Sequence, residues 1–286
     1  MQLKKSLVLI ALAAGLGVAA YADSFSFSTG APNGAIATAS RPSAASAIET
    51  ESADDFILSS TTTSINHATF YGLLPSGAAL SSVTNVRAEI YRVFPKDSTD
   101  PPSGNVPTRM NSPSDVAFAE REAVGAGDLT FTASVVNPSF TAANSVVNGI
   151  FPKPNFNTLG EGAVTGEEVL FDVTFTTPFD LPADHYFFVP QVLLSSGNFL
   201  WLSGQRPTVP PFTGDLQSWI RNENLAPDWL RIGADIVGGT TFNAAFSLDG
   251  TSAPEPGTAG GFVAGAILLA FIARRVRPFA SIKEKR

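Results

Sequence analysis

Apolar residues recur at every second position along several stretches of the chain. Leu129, Phe131, Ala133 and Val135 alternate with Thr130, Thr132 and Ser134. Val169, Phe171, Val173 and Phe175 alternate with Leu170, Asp172, Thr174 and Thr176, and Val86, Ala88 and Ile90 alternate with Arg87, Glu89 and Tyr91. A period of two sends successive side chains to opposite faces of an extended strand, so each stretch predicts a strand with one buried and one solvated face. Residues 65–74, 186–194, 198–202 and 242–248 also read as strands. About nine short strands, divided by Pro, Gly and Asn turns and lacking crossover helices, predict an all-β, antiparallel sandwich over residues 23–252.

A few stretches break the pattern. Leu216, Trp219 and Ile220 share a helical face, with Asp215 as its cap and Pro227 as its stop, which predicts one short helix. A further turn is expected over residues 228–232. The Pro-rich segments 95–113 and 207–211 predict long surface loops. Residues 29–47, rich in Ser, Ala and Gly, predict irregular chain.

The alternation disappears at both ends. Lys4 and Lys5 precede an apolar run from Leu7 to Val18, and Ala20-Tyr21-Ala22 follows with small residues at its first and third positions. This is the order of a secretory signal helix over residues 1–22, cut by signal peptidase after Ala22, so that the mature chain starts at Asp23. At the other end, Pro254-Glu255-Pro256 precedes an uncharged, mostly apolar run over 257–273, and Arg274, Arg275 and Arg277 follow it. As a helix the run rises roughly 26 Å, near the short limit for a bilayer span. The prolines suit a helix beginning, and the arginines stay on the cytoplasmic side of the inner membrane, leaving residues 23–252 outside. Gly261 and Gly265 give the run a GxxxG spacing that suits close helix packing.

The order Pro254-Glu255-Pro256, apolar span, Arg274-Arg275 resembles the PEP-CTERM sorting signal of Gram-negative bacteria, and covers residues 253–286. The resemblance implies recognition by an exosortase, a membrane protease-transpeptidase. That enzyme would cut near the tripeptide and pass the body to the cell surface or its polysaccharide matrix. Ala53-Asp54-Asp55-Phe56 and the segment Phe242-Asn243-Ala244-Ala245-Phe246-Ser247-Leu248 resemble the jelly-roll ectodomains that carry such tails. That likeness implies a first and a last strand lying close together.

Composition narrows the chemistry. The 286 residues contain no Cys and two His, which excludes disulfides, thiolate zinc sites, thiol nucleophiles and a three-His metal site within the chain. Residues 23–253 hold ten basic against 23 acidic residues, a poor match for nucleic acid phosphates and a good one for a soluble exported body. No GxSxG, P-loop or HExxH motif occurs. His67 and His185 read as strand residues. Asp54 with Asp55, and Glu167 with Glu168, are neighbours that a strand sends to opposite faces; Glu120 and Glu122 share a face but read as ordinary surface. Asp54, Asp55, Asp97, Asp100, Glu167 and Glu168 are the oxygen donors available to a structural calcium ion, without regular ligand spacing. Trp201 and Trp219 read as core; Trp229, after Pro227-Asp228, is the tryptophan expected to be exposed and able to stack on a sugar ring. The resulting expectation is an exported, non-enzymatic surface or matrix protein without a cofactor. A carbohydrate-binding module or glycan-acting enzyme of the envelope is the alternative.

Overall fold

In the computed structural model, residues 22–44, 47–101, 103–151, 157–206, 217–239 and 241–253 are described. Thirteen strands follow in order: β1 (Asp23–Ser28), β2 (Ile36–Ala39), β3 (Thr50–Pro75), β4 (Val83–Arg92), β5 (Ala119–Glu122), β6 (Leu129–Ala142), β7 (Asn144–Val146), β8 (Val164–Leu194), β9 (Leu200–Gly204), β10 (Trp219–Asn222), β11 (Leu230–Arg231), β12 (Asn243–Ala244) and β13 (Phe246–Ser252). They build a compact unit over Ser24–Ser252. The chain is all-β, as the alternation predicts, and its strands form one curled sheet.

Two long strands organise the sheet. β3 and β8 run antiparallel from Asp54↔Phe188 to Pro75↔Gly166, with register breaks between Leu58 and Thr62 and between Ile65 and His67. Their other edges are shared among several partners. β8 pairs with β4 from Leu194 to Tyr186 and with β6 from Phe175 to Val164. β3 pairs with β10 at Thr50 to Ala53, with β13 at Thr63 to Phe70 and with β9 at Gly72 and Leu73. One pair departs from the expected antiparallel arrangement: β2 and β7 run parallel, Ile36 opposite Asn144, so the sheet is mixed. Segment 29–47, expected to be irregular, contains β2, all four of whose residues are buried.

β1 pairs with β13. Thr29, just after β1, donates its N–H to the Phe246 carbonyl at the start of β13, at 3.0 Å. β1 therefore runs antiparallel to β13, and the two ends of the unit leave it side by side, as the jelly-roll likeness implies.

The alternating stretches bury the face they predict. Val169, Phe171, Val173 and Phe175 join Val86, Ala88 and Ile90 in one apolar core with Phe56, Phe70, Phe188, Phe199, Trp201 and Phe246. Phe70 and Phe171 stack at 4.9 Å between ring centroids, and Phe199 meets both edge-on at 5.9 and 5.5 Å. Gly72 makes room for this: a Cβ there would overlap the Phe199 ring. The run 186–192 is buried without interruption because both of its faces are covered. Tyr186, Phe188 and Val192 enter the core just described; Phe187 and Val189 pack on the other side with Ala53, Tyr91, Trp219 and Trp229.

That second side accounts for the main corrections to the expected elements. Trp219 and Ile220 lie in strand β10, where a helix is expected, because they pair with Ala53 and Ser52 of β3 on one side and Arg231 and Leu230 of β11 on the other. Two ladders outcompete a helical face of three apolar residues. Leu216 and Asp215 lie outside the described residues. The turn expected over 228–232 begins later, as a π-helical turn over Ile232–Val237 closed by left-handed Gly238. Asp235 fixes it by accepting from the Arg231 N–H at 2.8 Å and its guanidinium at 2.7 Å. Segment 95–113, expected as a surface loop, carries buried Val106, Arg109 and Ser112.

Among the described residues no helix is long and apolar enough to cross a membrane. The signal helix, the span 257–273 and the residues Ala20, Pro254, Glu255, Pro256, Arg274, Arg275 and Arg277 lie outside the described residues. Ala22 is exposed, immediately before β1.

Candidate functional site

The densest chemistry lies on the second side of the sheet. On β4, Arg87, Glu89 and Tyr91 point away from the apolar core that takes Val86, Ala88 and Ile90. β3 contributes Glu51 to the same face, β10 contributes Arg221, and Glu49 lies next to the start of β3. Alternation places charges here as it would on a solvated face, but the segments carrying Asp115, Arg221 and Trp229 cover them. Glu51, Glu89, Tyr91 and Arg221 are all more than nine-tenths buried.

Arg221 is the centre of the covered group. Its guanidinium grips both oxygens of Glu51, with Nη2 to Oε1 at 3.1 Å and Nε to Oε2. Nη2 also donates to the Tyr91 hydroxyl at 2.8 Å, and that hydroxyl donates to Glu51 Oε1 at 2.6 Å. Nη1 donates to the Asp115 carbonyl at 3.0 Å, and the guanidinium plane lies 4.4 Å from the Trp229 ring centre. Burial alone would lower the Arg221 pKa, but Glu51 and Tyr91 outweigh it and hold the guanidinium above its ordinary value. Burial, and then Glu51 and Glu89, push the Tyr91 hydroxyl well up.

Beside this triad, Arg87 faces Glu120 at 3.0 Å, Glu122 at 3.2 Å and Glu49 at 3.4 Å. Glu122 also accepts from Asn85 at 2.7 Å, and Glu49 from Gln191 at 3.2 Å. Glu89 is the odd member. Its Oε2 is buried without a hydrogen-bond partner among the described residues. Burial first, then Glu51 and Glu49, raise its pKa well above the usual carboxylate range against the pull of Arg87. Burial and Glu51 also raise Glu49. The group therefore sets Glu89, whose burial favours its protonated form, next to Glu51, whose two oxygens are both engaged.

A second network lies nearby. Buried Arg109 donates to Asp115 at 2.6 Å and to Asp228 at 2.9 Å, and stacks at 4.3 Å on Phe94. Ser103 donates to Asp228. These bonds tie segment 95–115 to the chain just before Trp229, which explains why the expected surface loop is partly interior.

The residues singled out by sequence fall into separate places. Asp54 and Asp55 point to opposite sides, as neighbours on a strand must. Asp54 accepts the Ala244 N–H at 2.7 Å, and Asp55 meets His185 Nε2 at 2.7 Å. Burial and Asp55 raise Asp54 well above its ordinary pKa. Glu120 and Glu122 share a face, as alternation requires, and both reach Arg87. His67 lies at the solvent side of β3, 3.1 Å from Asp172 and 3.4 Å from Asp249. Asp97 pairs with Arg92, while Glu167 and Glu168 lie opposite Leu74 and Leu73. The calcium donors named above are thus not brought together, and among the described residues no group of three or more His, Asp or Glu is placed to hold a metal ion.

All three tryptophans are buried, Trp229 completely, which corrects its expected exposure. Its indole N–H donates to the Ser114 carbonyl at 3.1 Å, and its ring packs edge-on to Tyr91 and over Arg221. None of the three rings is therefore offered to a sugar. Sequence reasoning passed over Glu49, Glu51, Glu89, Tyr91 and Arg221. A charge at alternate strand positions reads as solvated, and nothing local announces that a segment 170 residues away covers it. No protein-family model matches the chain, and no curated protein does.

Proposed function

We propose that this is an exported, non-enzymatic component of the cell surface or extracellular matrix, sorted through a PEP-CTERM-like signal over residues 253–286. The observation that carries the reading is the order of parts at the C-terminus: Pro254-Glu255-Pro256, an uncharged apolar run, then Arg274, Arg275 and Arg277. Signal peptidase removes residues 1–22 after Ala22. The span 257–273 holds the precursor in the inner membrane with the arginines inside, and an exosortase acts at the tripeptide.

Three features support this reading. The compact unit Ser24–Ser252 lies between the two proposed address segments. The pairing of β1 with β13 lets both ends leave the unit together, so either can be cut without opening the sheet. The acidic excess of residues 23–253 suits solubility outside the cell. Within the same reading the curled sheet is a jelly-roll-like sandwich closed over its aromatic core, and the charged cluster around Arg221 is a structural staple.

Intact-mass analysis of the protein from envelope and medium fractions of its native cell tests the proposal. The expected chain starts at Asp23 and ends near Pro254-Glu255-Pro256. A chain that still ends at Arg286 in the inner membrane would overturn sorting and leave a tethered periplasmic domain.

A further inference from the structure

A strand at the edge of a sheet leaves a row of N–H and C=O groups unpaired, and proteins blunt such edges with short strands, charges or covering segments. The edges of this sheet are treated unequally. β5 is four residues long and reads Ala-Glu-Arg-Glu; β7 is three residues long; β1 is six residues long and begins with Asp23. β6 is 14 residues long, pairs among the described residues with β8 alone, and carries no charged residue. Its ladder to β8 is continuous from Leu129↔Phe175 to Val135↔Val169, and register breaks follow around Pro138. Over 129–135 the backbone makes no bond to any described residue outside β8. At the end of this straight edge Val135 is 40% and Val136 53% exposed.

We propose that residues 129–135 form the contact through which two copies of this chain join, β6 against β6, antiparallel about a two-fold axis at Thr132. The strand is complementary to itself in that register. Turning it about Thr132 sets Leu129 opposite Val135 and Phe131 opposite Ala133 on the core side, and Thr130 opposite Ser134 on the outer side. Apolar meets apolar and hydroxyl meets hydroxyl, the cross-strand pairs that stabilise an antiparallel ladder. A slip of one residue would set core-side residues opposite outer ones, so the pattern fixes the register. A second copy fits because the edge is uncharged: a charged strand would repel itself across a two-fold axis. The contact is closed, since each copy uses the same edge, the one long bare edge among the described residues.

The chain contains no Cys, so one engineered thiol reports the contact. The full chain, kept in mild detergent, carries Thr132→Cys, an exposed position. The expected result at micromolar protein is a disulfide-linked dimer under mild oxidation. Thr174→Cys, exposed on β8 but away from the edge, dimerises through the same contact yet stays without a disulfide link. Thr132→Lys, which places two ammonium groups side by side, is expected to weaken the dimer at least tenfold in sedimentation, with an unchanged circular dichroism spectrum. The proposal is overturned if Thr132→Cys stays unlinked while the protein sediments as a monomer. A dimer that Thr132→Lys leaves intact, as pairing through Gly261 and Gly265 would, also overturns it. So does cross-linking of Thr132→Cys only to a copy carrying Ser26→Cys, which would mean head-to-tail pairing with β1.

Discussion

Along residues 186–192 of β8 both faces of the sheet are buried, and they are built on opposite principles. One packs Phe70, Phe171, Phe188, Phe199, Trp201 and Phe246 against one another with few polar atoms. The other buries Glu51, Glu89, Tyr91 and Arg221, with Trp229 packed on Tyr91 and Arg221. An apolar layer gains from each buried side chain in rough proportion to its area, so its members are replaceable by others of similar volume. A buried charge is tolerable only with its partners in place, so the polar layer behaves as one unit. The aromatic face supplies stability; the charged face fixes which segments lie over the sheet, because one arrangement satisfies it.

The largest expected effects, similar in size, come from truncating a side chain in either layer. Arg221→Ala leaves Glu51 buried without its partner and should cost about 3–5 kcal/mol. Replacing Arg221 and Glu51 together by apolar residues of similar volume should recover most of that loss, as urea denaturation of the single and double variants would reveal. Recovery of none of it would mean that the layer is held by packing alone. On the apolar face, Phe171→Ala should cost about 3–5 kcal/mol, but Phe171→Leu far less, under about 2 kcal/mol. A Leu variant as unstable as the Ala variant would erase the contrast between the two layers.

Acidity separates the layers further. The pKa of Glu89 in the fold lies above its ordinary value of 4.5, so the native state keeps a proton that the unfolded chain gives up. Its contribution to stability is complete below about pH 4.5 and is lost as pH rises toward the folded pKa. Glu89→Gln should therefore match the parent near pH 4 and gain on it steadily at higher pH. Parallel curves across that range would contradict a buried, protonated Glu89. Asp54, raised likewise, leaves a residual slope of the same sign. The smallest effect belongs to the solvent side: His67→Ala removes contacts to Asp172 and Asp249 that are about half exposed, and should cost under about 1 kcal/mol in thermal unfolding.

What was legible in the sequence tracks this division. Val169, Phe171, Val173 and Phe175 announce their strand and its buried face because a period of two is a local signal. The double burial of 186–192 is legible only in part, as the apolar run Tyr186 to Val189, because Gln191 is polar and buried all the same. Arg87, Glu89 and Tyr91 obey the same alternation and mislead, since a strand position cannot say whether water or Trp229 lies above it. Trp219 and Ile220 mislead in another way. Their helical spacing is a weak local preference, set aside by ladders to β3 and β11 that no local window contains. The proposed sorting signal is read from residue order alone, because Pro254 to Arg277 lie outside the described residues.

The pairing of β1 with β13 also sets a timetable. Thr29 finds its partner Phe246 only 217 residues later, and β3 receives β10 and β13 from the same late stretch of chain. A ribosome or a secretion pore delivers residues in order, and contacts between distant positions form slowly. Until Phe246–Ser252 has emerged, Phe27, Phe56 and Phe70 have no complete layer to enter, and the chain stays an open polymer. The sheet can close only when nearly every residue up to Ser252 has emerged, so the last strand made is the one that completes the first.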